Sequence, residues 1–191
     1  MAATVDVQEG NGSAVTWTTI TSARFCTTDS YNPGTNYPCV IPTSGYNYSY
    51  WKHHCLNLSG TFTQISNIRF RCDGSIDWTL GTYGELRVGY RGTNGEPHGC
   101  PEANYNMATG TEGTTGHSIE DPTNGHSYYN GESPATRNIE NFVSGSELTV
   151  DNNTYTSAGR TYSVVLQVKI DTDATQGEQA DEVLTWLYDE I

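Results

Sequence analysis

The run Thr161-Tyr-Ser-Val-Val-Leu-Gln-Val-Lys-Ile170 constrains this chain more than any other feature. It is the most apolar stretch in the sequence and is rich in β-branched residues. It is far too short to span a membrane, which takes about 20 apolar residues. It therefore reads as a central strand. The C-terminal run Val183-Leu-Thr-Trp-Leu-Tyr188, beyond the turn-rich stretch 171–181, reads as its partner.

Other strands are easy to nominate. Residues 3–20 form a predicted hairpin around the turn signal Glu9-Gly-Asn-Gly12. Tyr46–Leu58 is a further strand, followed by Asn67–Cys72, Ser75–Leu80 and Glu85–Tyr90, spaced as in a meander. Helix formers are scarce, with two lysines (Lys52 and Lys169) and two methionines in 191 residues. Thr, Ser, Asn and 20 Gly take their place. The reading is a single all-β domain over residues 1–191, an antiparallel β-sandwich of jelly-roll or immunoglobulin-like type. It carries a long irregular insertion at about residues 92–146. That stretch is either a mobile surface excursion or an arm that orders against a neighbouring subunit. Tyr105, Tyr128, Tyr129 and Phe142 give it something to bury.

Net charge is −13 at pH 7, and the nine basic residues are spread singly. Direct contact with nucleic acid or an anionic membrane is excluded on that balance. No basic segment followed by an apolar run opens the sequence, so synthesis in a cytoplasm without a signal peptide is expected.

Five cysteines stand at 26, 39, 55, 72 and 100. Cys26 and Cys39 flank a Pro- and Gly-rich loop, and a disulfide between them would close it in an oxidising setting. In a reducing one both stay free. His53-His-Cys55 and His98-Gly-Cys100 form two His-x-Cys units. On a strand, residues i and i+2 share a face, so His53 and Cys55 with His98 and Cys100 would complete a tetrahedral structural zinc shell. The competing reading has these cysteines as small buried apolar groups. Asp171-Thr-Asp173, Asp151-Asn-Asn153 and Asp73–Asp77 offer oxygen ligands for calcium, though Asp and Asn also favour turns for backbone reasons.

No nucleophile elbow, phosphate loop, zinc-protease helix or dinucleotide fingerprint is present, so no catalytic residue is nominated and an enzyme is not expected. Tyr46, Tyr48, Tyr50 and Trp51 suit either a subunit interface or a sugar-stacking platform.

Tyr48-Ser-Tyr-Trp-Lys-His-His-Cys-Leu-Asn-Leu-Ser59, Thr109-Gly-Thr-Glu-Gly-Thr-Thr-Gly116 and the ending Gly177–Ile191 resemble uncharacterised accessory structural proteins of tailed viruses. The resemblance implies a virion protein assembled in several copies, a capsid decoration or cement component. Its implied partners are the major capsid or tail protein and copies of itself. The alternative classes are a tail, fibre, receptor- or carbohydrate-binding module, and a secreted hydrolase.

Overall fold

The computed structural model describes residues 2–92 and 98–191. The chain is nearly all-β, and every strand pairing is antiparallel. The predicted hairpin forms as β1 (Ala3–Asn11) and β2 (Thr16–Thr19). β3 (Asn47–Tyr48), β4 (Lys52–Gly60), β5 (Ile65–Arg71) and β6 (Glu85–Gly89) follow. Two-residue strands β7 (Gly110–Thr111) and β8 (Thr115–Gly116) make a small separate hairpin. β9 (Thr136–Asn138), β10 (Leu148–Asp151), β11 (Gly159–Ile170) and β12 (Thr185–Glu190) complete the set.

A seven-stranded sheet has the order β2-β1-β4-β11-β6-β9, with β3 also on β11; a three-stranded sheet has the order β10-β5-β12. β11 is central, as its apolar run predicts. Alternation along it splits the molecule. Val164, Leu166, Val168 and Ile170 face the three-stranded sheet and join Leu56, Leu58, Leu86, Val88, Ile65, Ile68 and Phe70 in one core. Val165 points the other way, into a second cluster with Tyr50, Trp51, Cys100, Ile119 and Tyr129.

Four expectations need correction. β12 does not pair with β11. It lies against β5, with Trp186 packed on Phe70 at 5.0 Å, and Val183 is exposed outside it. Strands β4, β5 and β6 do not form a meander, because β5 belongs to the smaller sheet. Ser75–Leu80 is not a strand. Its backbone N–H groups are taken by side chains instead: Asp77 N donates to Glu182 Oε1 (2.6 Å) and Thr79 N to Gln179 Oε1 (2.9 Å). The Tyr46–Leu58 strand breaks at 49–51, where Ser49 Oγ accepts from Val168 N at 2.9 Å.

In β5, Asn67 sits at φ 56° and the register shifts beside it. That irregularity resets the phase, so that Ile65 and Ile68, three residues apart, are both buried.

Residues 98–135 cover the back of the large sheet. They have little regular structure, yet Cys100, Ile119, His126 and Tyr129 are fully buried. The first part of the anticipated excursion, residues 93–97, lies outside the described residues. Gln167, on β11, clamps the cover: its Nε2 donates to Ser49 O (2.8 Å) and His117 O (2.7 Å), and its Oε1 accepts from Ile119 N (2.9 Å). Gly89 makes room for Tyr129, since a Cβ there would lie 2.6 Å from the ring. The described part of the excursion thus packs on its own chain.

Candidate metal centre

Under this cover, β4 and two loop segments bring His53, Cys100 and His126 together, all buried, with one ligand atom from each lying within 4.8 Å of the others. His53 is placed by β4, on the face opposite Leu56 and Leu58. Cys100 is fixed through a bridge to β11, in which Cys100 N donates to Ser163 O (2.7 Å) and Ser163 N to Cys100 O (2.8 Å). His126 is set by a tight turn: its backbone N donates to Ile119 O at 2.9 Å, and its carbonyl accepts from Tyr129 N and Asn130 N. Aromatic rings wall the site. His53 packs on Tyr105 at 4.6 Å, and His126 packs on Trp51 at 5.8 Å and Tyr129 at 5.1 Å.

The hydrogen bonds define the proton positions. Nδ1 of His126 accepts from Tyr128 N (3.2 Å), so the neutral ring carries its proton on Nε2. That proton is donated to Nε2 of His53, 3.0 Å away. His53 then holds its own proton on Nδ1, which is buried and has no partner of hydrogen-bond geometry among the described residues. Tyr129 Oη is likewise buried without a partner among the described residues.

Burial sets the charge state. It holds His53 well below the ordinary imidazole range, with neighbouring His126 adding to the effect and the Asn106 backbone partly offsetting it. Burial also brings His126 down to about 3 and pushes the Cys100 thiol up to about 12. Both imidazoles are therefore neutral at pH 7. His53 already has the tautomer that metal ligation through Nε2 requires, whereas His126 must move its proton to Nδ1 and give up the bond from Tyr128. Cys100 must lose its proton, which a cation would favour.

The group differs in membership from the anticipated set. His53 and Cys100 meet, but Cys55 and His98 are not in the group. Ser163 pairs with Cys55 on one side of β11 and with Cys100 on the other. The two cysteines are two strand spacings apart, about 9–10 Å. His126 takes the missing place. In sequence it is a lone histidine in the Gly125-His126-Ser-Tyr128-Tyr129 turn, and only its closeness to two aromatic residues hinted at burial.

Other nominated residues have different fates. Cys26 and Cys39 are free thiols, the state anticipated for a reducing setting. Tyr50 and Trp51 are buried inside the second cluster and cannot serve as an interface; Tyr48 is half-buried, and Tyr46 alone remains exposed. Trp51 Nε1 donates to Asn106 O at 2.8 Å. The acid pairs serve turns. Asp151 Oδ2 accepts from Tyr155 Oη (2.6 Å) and Tyr162 N (2.8 Å), and Asp173 accepts from Thr82 N (2.9 Å) and Oγ1 (2.6 Å). Asp73 accepts from Ser75 N at 3.2 Å.

Comparison with known proteins found no matching family, no similar curated protein and no similar solved structure. Among the described residues, no helix is long and apolar enough to cross a membrane.

Proposed function

We propose that this chain is a structural component of a virus particle, a decoration or cement protein or another accessory part that stabilises an assembled shell. The observation that carries the reading is the burial of the His53–Cys100–His126 group. A set of side chains able to hold a metal lies beneath the molecule's own loop cover, where it can stiffen the fold but offers no cleft to a substrate. Zinc suits two imidazoles and a thiolate, and His53, Cys100 and His126 would hold it. A metal held there would fasten the irregular cover to the sheet. The surface supports a role in contacts: Tyr31, Tyr37, Val40, Tyr46 and Tyr83 are large apolar side chains left exposed.

Particles lacking this protein should assemble but break more readily under heat or low salt. Equal robustness would remove the stabilising role. Elemental analysis of chain purified without chelator should find zinc, lost in His126→Ala. Absence of stoichiometric metal would remove the clamp.

One observation favours a second reading. Tyr46 and Tyr83 flank an open depression of about 420 Å³ with Asp171, Thr172 and Asp173 on its lining. Aromatic rings beside carboxylates suit a sugar ring, so binding to a glycan array, abolished by Tyr83→Ala, would favour a carbohydrate- or receptor-binding module.

A further inference from the structure

Only two lysines occur in the chain, and one of them, Lys52, is buried. Its Nζ donates to Glu9 Oε1 (2.7 Å) and to Ser30 O (3.0 Å). The same Glu9 Oε1 accepts from Asn11 Nδ2 at 3.1 Å. One carboxylate oxygen thus stands between an amine and the nitrogen of a carboxamide. Glu9 is itself fully buried, and its second oxygen is held by His54 Nε2 at 3.1 Å. Asn11 is steadied by Asp29, whose Oδ1 accepts from Nδ2 (2.7 Å) and whose Oδ2 accepts from Gly12 N (2.8 Å). Asn11 Oδ1 is buried and has no partner among the described residues.

The register explains the encounter. β1 and β4 run antiparallel, with Glu9 opposite His54 and Gly10 opposite His53. Asn11 and Lys52 are the next residues beyond the last of these pairs, and both reach Glu9 Oε1. Glu9 and Asn11 share one face of β1, and Lys52 and His54 share the same face of β4.

We propose that Lys52 and Asn11 join in an intramolecular amide bond, with Glu9 as the proton carrier. Glu9 takes a proton from the Lys52 ammonium across their 2.7 Å contact. The freed Nζ lone pair attacks Cγ of Asn11. Glu9 returns its proton to Nδ2 as the Cγ–Nδ2 bond breaks. A second proton leaves Nζ for the departing nitrogen, so that ammonium is released, the Nζ–Cγ amide keeps one hydrogen and Glu9 ends as the carboxylate it began as. No oxidant, metal or external reactant is needed. The bond staples the N-terminal hairpin to the centre of the large sheet. The inference is independent of any particle role.

Intact-mass measurement of the purified full chain tests it. The expected mass is lower than that of the sequence by one ammonia, and proteolysis should release a branched peptide joining the segments around Asn11 and Lys52. Glu9→Gln should restore the full mass by removing the proton carrier. Lys52→Arg should restore it while keeping a cation beside Glu9. The branched peptide from the unaltered protein decides by itself, so failure of either variant to fold leaves the test intact. A full mass in the unaltered protein, aged and warmed, overturns the proposal and leaves a buried ion pair. An ammonia loss that persists in Lys52→Arg also overturns it, because Asn11-Gly12 can close on its own backbone with the same mass change.

Discussion

On one face of the large sheet, Leu56, Leu86, Leu166 and Val168 meet a second sheet whose inner side chains are Ile65, Ile68, Phe70 and Leu148. On the other face, Trp51, His53, Val165 and Gln167 meet a stretch of chain with almost no regular structure. The first face is held by apolar area, which is non-directional and tolerant of detail. The second is held by directed bonds from single side chains, in which each lost partner strands another buried polar group. A large-to-small change on the first face should weaken the whole domain. A polar change on the second should release the cover and leave the two-sheet body standing.

The largest effect is expected from Phe70→Ala. The ring is fully buried between the sheets and packs on Trp186, so its removal should cost about 3–5 kcal/mol. Denaturant unfolding followed by both Trp fluorescence and far-ultraviolet circular dichroism checks this. Both probes should shift together. Separate transitions would show that the faces are already uncoupled.

Gln167→Ala should come next, at about 2–3 kcal/mol, because it strands Ser49 O, His117 O and Ile119 N in the interior. Its signature is local. Limited proteolysis should begin cutting within residues 98–135 while β1, β4 and β11 stay protected in hydrogen exchange. Uniform loss of protection would mean that the two faces form one cooperative unit.

The contrast also explains what could be read from the sequence. β11 was legible because ten consecutive residues carry its pattern, and the 3–20 hairpin because a turn signal separates two alternating runs. The partner of β12 was not. A six-residue strand with half-buried side chains satisfies many sheet edges equally well, and only the packing of Trp186 on Phe70 chooses β5. The back face was the least legible. Its organising residue, Gln167, looks in sequence like a polar interruption in an apolar run, and nothing near it names Ser49, His117 or Ile119 as partners. The candidate centre was half legible for the same reason. Two-residue spacing correctly placed His53 on one face, but membership of the cluster depends on which side of β11 each cysteine approaches.

Acidification should probe the back face selectively. His53 and His126 are both depressed by burial, His126 to about 3, so the unfolded chain binds more protons than the folded one below the ordinary imidazole value. Their contribution is fully present above about pH 6.5 and is lost as pH falls, by about 1.4 kcal/mol per pH unit for each histidine. Glu9 is also depressed: burial raises it, but the bonds and charges of His54 and Lys52 outweigh that. Its share is lost only lower, as pH falls below the ordinary glutamate value of 4.5. Stability measured between pH 6.5 and 5 therefore isolates the histidines. His126→Phe should halve the slope. An unchanged slope would place the titrating groups elsewhere.

The smallest effect is expected at Tyr83, which belongs to neither face and sets the floor for the comparison. Its ring is 65% exposed, so truncation removes little packing. Its loop is held by backbone bonds that survive the change: Tyr83 N donates to Asp171 Oδ2 at 3.1 Å, and Gly84 N donates to Gly81 O at 3.0 Å. Tyr83→Ala should therefore alter stability by less than about 0.5 kcal/mol, the usual range for surface positions. A thermal melt checks the stability, and, for the proposed particle role, a binding assay on particles checks the contact. Unchanged stability with weakened attachment would assign Tyr83 to a partner surface, because an exposed aromatic ring gains apolar burial only when another molecule covers it. A loss above 1 kcal/mol would instead make the Tyr46–Tyr83 rim part of the fold, and the exposed aromatic residues would no longer mark a place for contact.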